Sequence, residues 1–83
     1  MRYIFTFRSR NAAMNFYAAL RRNGIPAVVV NTPRALGIGC GLSVRIDESN
    51  LEMTSRILAT NRSEWFVGVH EVNARGEVTR RIQ

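Results

Sequence analysis

Cys40 is the only thiol in this sequence, and its setting is specific. Asn31-Thr32-Pro33-Arg34 leads toward it, Gly39 and Gly41 flank it, and the run Leu42-Ser43-Val44-Arg45-Ile46 follows. The thiolate is the reactive form of cysteine, and nearby cations or a helix N-terminus favour it. Flanking glycines remove side chains that would shield the sulfur. They also let backbone N–H groups turn toward an anion, as in a nest. Such a setting suits a negatively charged sulfur species but lacks the parts for hydrolysis. No carboxylate lies in the loop, and the one histidine, His70, stands thirty residues away. A lone cysteine before a strand is also what a small buried hydrophobe looks like. Residue types alone leave both readings open.

Composition narrows the classes. One cysteine makes no internal disulfide, and one Cys with one His builds no structural zinc or iron–sulfur site within a chain. No metal or cofactor is therefore expected. Eighty-three residues imply a single domain over 1–83, too small for a deep active site. A hydrophobic share of 46% with 22% charged residues reads as globular. No apolar run approaches the ~20 residues of a membrane span, and the N-terminus lacks a signal-peptide pattern, so the expected location is cytoplasmic. The net charge is +6 and every basic residue is arginine. Coding bias explains the missing lysine most simply; a guanidinium-rich surface for anions or acidic partners is the functional reading.

The elements that must position the thiol follow from periodicity. Arg2 to Phe7 alternates and reads as a strand. Ser9 can cap a helix over Arg10 to Asn23, with Ala13, Phe16, Tyr17 and Leu20 on one face and Gly24 as its stop. Ile25 to Val30 reads as a second strand, Asn31 to Gly39 as a loop, and Leu42 to Ile46 as a third strand. Ser49 to Glu52 fits a capping box before a helix ending near Thr60, with Leu51, Ile57 and Leu58 inward. Trp65 to Val72 reads as a fourth strand, with Trp65 packing at core or edge. After a turn at Ala74-Arg75-Gly76, Glu77 to Ile82 can add a short edge strand.

The order β-α-β-β-α-β predicts an α+β ferredoxin-like sandwich, with an antiparallel sheet in the order 4-1-3-2 and two helices on one face. That topology brings one set of loops to one end: the Arg8-Ser9 turn, the start of the first helix, the Asn31–Gly41 loop, and the Asn61-Arg62 segment. Cys40 is then expected near a helix N-terminus, with Arg8, Arg10 and Arg34 as candidate donors. His70 reads as a sheet-face residue with one hydrogen bond, and Arg75, Arg80 and Arg81 as solvated.

Several short motifs also resemble one family. They are Tyr3 to Phe7 (YIFTF), Ala13-Met14, Gly24-Ile25-Pro26, Thr32-Pro33-Arg34 and Cys40-Gly41-Leu42. This set is similar to the selenium/sulfur carrier protein-like family of small bacterial proteins, chiefly over residues 3 to 46. The resemblance implies that Cys40 is a carrier thiol, and that Thr32, Pro33, Arg34 and Gly41 form its loop. Read with the residues themselves, Arg34, Arg8, Ser9, Gly39 and Gly41 would stabilise the anion, and Thr32 and Pro33 would shape the loop. The implied role is relay of a persulfide or its selenium analogue from a protein donor to a protein acceptor, rather than turnover of a small substrate. Family members often carry an acidic residue in the first helix where this chain has Tyr17, so no role resting on that carboxylate carries over.

Two other readings remain. One is a non-catalytic interaction or small-ligand domain with a structural cysteine, compatible with a homodimer through a sheet face. The other is an RNA-binding module, disfavoured because the third strand has no aromatic to stack on a base and no glycine-aromatic signature occurs.

Overall fold

A computed structural model of the chain describes residues 1–38 and 41–83. Its elements are β1 (Arg2–Phe7), α1 (Arg10–Arg22), β2 (Val28–Asn31), β3 (Leu42–Asp47), α2 (Leu51–Thr60), β4 (Phe66–Val72) and β5 (Val78–Arg81). The sheet runs β2-β3-β1-β4-β5, and every neighbouring pair is antiparallel. This is the expected ferredoxin-like α+β arrangement, with β5 added beside β4.

The period-2 pattern of β1 decides the two faces. Tyr3, Phe5 and Phe7 join α1's Ala13, Phe16, Ala19 and Leu20 and α2's Ile57 and Leu58 in one core. Phe16 sits at the centre, its ring 5.4 Å from Phe5 and 5.5 Å from Phe7. Burying an aromatic ring in this way stabilises by roughly 1.5–3 kcal/mol. Ile4 and Thr6 point to the other face, opposite Arg45 and Ser43 on β3 and His70 and Gly68 on β4. Ile4, Thr6, Ser43 and His70 are all buried even though no helix covers that side.

Local chemistry trims several expected boundaries. α1 begins as expected, with the Ser9 hydroxyl accepting from Ala12 N–H at 3.2 Å. It ends at Arg22, where Asn23 caps it and Gly24 turns left-handed at φ 76°. The second strand starts at Val28 rather than Ile25, because Pro26 has no N–H for the ladder. The capping box is replaced. Asp47, the stronger acceptor, takes the Ser49 N–H at 3.1 Å and the Ser49 hydroxyl at 2.9 Å, which inserts a 3₁₀ turn over Glu48–Asn50. Glu52 instead pairs with Arg56 at 2.8 Å. β4 starts one residue late, since Ser63 accepts the N–H groups of both Trp65 and Phe66 in a turn. Asn73 organises the last turn by accepting from Arg75 and Glu77, which leaves Glu77 outside β5.

Candidate functional site

The loop that carries the thiol is closed at its base. Thr32 N–H donates to the Gly41 carbonyl at 2.8 Å, continuing the β2–β3 ladder beyond Asn31 and Leu42. The Thr32 and Ser43 hydroxyls lie 2.7 Å apart and are buried, so two side chains lock the same crossing. Ser43 gave no sign of this in the sequence, where it read only as the polar half of an alternation.

Gly41 adopts φ 79°, and a Cβ there would meet nothing within 4 Å. Conformation rather than space thus asks for glycine. Pro33 precedes a single 3₁₀ turn, Arg34–Leu36, and lines a cavity of about 70 Å³ with Ile4, Val30, Arg45 and Val72 on the helix-free face. Gly39 and Cys40, expected to supply one flanking glycine and the thiol, lie outside the described residues.

The expected convergence of strand ends is present. Phe7 ends β1 beside Phe66 of β4, and Arg8 N–H donates to the Trp65 carbonyl at 2.7 Å. On the other side of β1, Thr6 pairs with Ser43, two residues from Gly41. Arg8, Ser9, Arg10, the Thr32–Gly41 crossing and the Asn61–Trp65 segment therefore share one end of the sheet. Within that end they divide. Ser9 opens the helix layer and uses its hydroxyl oxygen as a cap, whereas Pro33 lies on the helix-free face.

Acidic residues are concentrated toward the far end of the strands. Asp47, Glu48 and Glu52 follow the far end of β3, Glu71 lies near the far end of β4, and Glu77 closes the β4–β5 turn. Glu64 is the one remaining carboxylate, on the α2–β4 segment at the near end. Toward the far half, Glu48 pairs with the N-terminal amine at 3.4 Å, Glu71 with Arg80 at 3.5 Å and Glu77 with Arg75 at 3.2 Å. Among the described residues, Arg8, Arg10, Arg34 and Arg62 form no ion pair with any carboxylate, and neither do Arg2, Arg21 and Arg22 at the far end, so the near end differs in having Glu64 as its one acidic side chain. The near end is thus a set of uncompensated guanidinium groups.

Three further expectations change. Trp65, expected to begin the fourth strand and pack at core or edge, precedes β4 and is 49% exposed. Arg75 and Arg80 are exposed yet paired, and Arg81 donates to the carbonyls of Val67 and Gln83, both at 3.0 Å. His70 is buried, and its Nδ1 has no hydrogen-bond partner among the described residues. Burial pushes the His70 pKa down, and the nearby Arg81 charge adds to that. Hydrogen bonds from Ser49 hold Asp47 below the ordinary carboxylate range.

The described residues contain no His/Cys/Asp/Glu group able to hold a metal ion and no helix long and apolar enough to cross a membrane. The β1 aromatics, packed against α1, present no face on which a base could stack.

Comparison with known proteins completes the picture. The family described as "Putative Se/S carrier protein-like" matches residues 2–66. No curated protein and no solved structure matches the chain. The family match runs from β1 to the first residue of β4, through the whole Cys40 loop and well over half of the sequence, and the chain belongs to that Se/S carrier protein-like family.

Proposed function

We propose that this protein carries sulfur or selenium on Cys40 and relays it between partner proteins. The observation that carries the reading is the family match, which spans the chain's only thiol. The uncompensated arginines at the same end support it, because positive charge favours both a thiolate and a persulfide anion.

In the loading step the Cys40 thiolate attacks the terminal sulfur of a donor persulfide. A new S–S bond forms at Cys40, the donor's S–S bond breaks, and the donor cysteine leaves as a thiolate. The transferred sulfur keeps its oxidation level, so no external oxidant or reductant is needed. An acceptor thiolate repeats the displacement in the reverse sense, and selenium in place of the terminal sulfur follows the same course. In this reading Arg34, on the loop itself, is the principal counter-charge. Arg8 and the Ser9 O–H stand at the adjoining strand end. Thr32 and Pro33 would shape the loop, and Gly39 and Gly41 would leave backbone N–H groups free to turn toward the anion.

The test is intact-mass measurement after incubation with a cysteine desulfurase and cysteine. One added sulfur atom per chain, removed by dithiothreitol and lost in Cys40→Ser, is expected. No gain from sulfur or selenium donors, together with a thiol inert to alkylation, returns Cys40 to a structural role.

A further inference from the structure

A groove of about 630 Å³ runs between α1 and the segment that joins α2 to β4. One wall is a helical stripe, Asn11, Asn15, Ala18 and Arg22, spaced to lie on one side of the helix. The other wall is the α2–β4 segment with Asn61, Arg62, Ser63 and Trp65, and Phe7, Ala12 and Phe16 contribute beneath.

Three properties of this groove point to one kind of occupant. First, no carboxylate is among the described residues lining it, and neither Arg22 nor Arg62 has an ion-pair partner among the described residues. Second, the Asn11 and Asn15 amides make no hydrogen bond among the described residues. Each carries both a donor and an acceptor, the pair that an extended peptide backbone offers in return. Third, Trp65 is half-exposed at the rim, an apolar surface able to pack one side chain. The stripe from Asn11 to Arg22 rises about 16 Å along the helix, the length of about five extended residues.

We infer that this groove docks a short, extended acidic segment of a partner protein, with one apolar side chain against Trp65. Carboxylates of the segment meet Arg22 and Arg62, and its backbone meets the asparagine amides. The groove begins at Ser9 and Trp65, on the helix face of the same sheet end at which the Thr32–Gly41 crossing closes the loop. Assigning that partner as the sulfur or selenium donor or acceptor rests on the carrier reading; the groove's preference for acidic peptide does not.

Trp65 is the only tryptophan, so its fluorescence reports the groove directly. The titrants are acetylated pentapeptides Glu-Asp-X-Glu-Asp, with X leucine, phenylalanine or methionine. At least one should saturate the signal. Combined Arg22→Glu and Arg62→Glu reversal should weaken that binding at least about tenfold, while Arg75→Glu, at the other end, changes it less than about twofold. Circular dichroism confirms that each variant is folded, and Asn15→Leu, which keeps the charge, should also weaken binding. Three outcomes overturn the inference: flat titrations with all three peptides, equal weakening by Arg75→Glu, or tighter binding of a single-stranded oligonucleotide of the same charge. Cys40→Ser should bind the peptides as the parent does. Failure of the carrier chemistry and failure of the groove are therefore separable.

Discussion

The two ends of the sheet differ in how their charges are balanced. At the far end, carboxylates follow β3 directly and find partners: Glu48 the N-terminal amine, and Glu77 the Arg75 guanidinium. At the near end, Arg8, Arg10, Arg34 and Arg62 gather around loops that contain Glu64 as the one carboxylate. Exposed ion pairs such as those at the far end stabilise little, about 0–1 kcal/mol each. The contrast therefore concerns recognition rather than stability. One end of the molecule mixes carboxylates with guanidinium groups, and the other offers a predominantly positive field.

The most severe break should come from the aromatic cluster beneath the near end. Phe16→Ala removes a ring that touches both Phe5 and Phe7 and should cost about 3–5 kcal/mol. In a chain this small that is most of the stability. Urea unfolding should show a midpoint shifted to low denaturant, with both ends lost in one transition. A small shift would mean that the near end does not rest on this cluster.

A smaller effect sharpens the electrostatic contrast itself. Arg34→Glu should slow alkylation of Cys40 by iodoacetamide several-fold at low salt. The difference should shrink toward 1 M salt, where the screening length falls to about 3 Å. The reversal Arg75→Glu, at the far end, should leave the rate unchanged. Equal effects of the two reversals would erase the distinction between the ends.

His70, in mid-strand, gives a pH signature belonging to neither end. Its folded pKa lies below the ordinary 6.5, so the unfolded chain takes up the proton first. The stability due to neutral His70 is complete above about pH 6.5 and is lost as pH falls through the lowered folded value. Asp47 is also lowered, from 3.8, so its contribution disappears only at more acid pH. Thermal melts from pH 7.5 to 5 should show falling stability in the parent and a flatter profile in His70→Leu. Identical slopes would mean that His70 titrates normally.

The mildest change is Arg56→Ala, which breaks the exposed i,i+4 pair with Glu52. It should cost no more than about 0.5 kcal/mol. A larger loss in the urea midpoint would show that pairs outside the near end do more than balance charge.

Much of this architecture was legible in the chain. Alternation in β1 and β3, the Ser9 cap and the Gly24 stop are local signals, and the β-α-β-β-α-β order they define limits the topology to the observed sheet. The misplaced boundaries share a physical cause, competition between nearby groups for one hydrogen bond. Asp47 displaced Ser49 as the cap, Ser63 delayed β4, and Pro26 shortened β2. The Thr32–Ser43 hydroxyl pair and the groove were not legible, because their parts meet only once the sheet has formed. Asn15 and Arg62 carry no common motif, and Trp65 read as a packing residue because large apolar side chains usually are. The clustering of loops around the Cys40 segment was predictable from topology. The separation of Ser9 and Pro33 onto different faces was not, since it depends on which way the loop leans after Thr32.

The central claim joins the thiol to the basic end that surrounds its loop. Its most direct test compares sulfur loading from a cysteine desulfurase on three proteins: the parent, Cys40→Ser, and a variant with Arg8, Arg34 and Arg62 each changed to Glu. Intact mass against time should show one sulfur on the parent, none on Cys40→Ser, and several-fold slower loading on the charge-reversed chain. Sulfur on Cys40→Ser, or a parent that never gains an atom, would contradict the account.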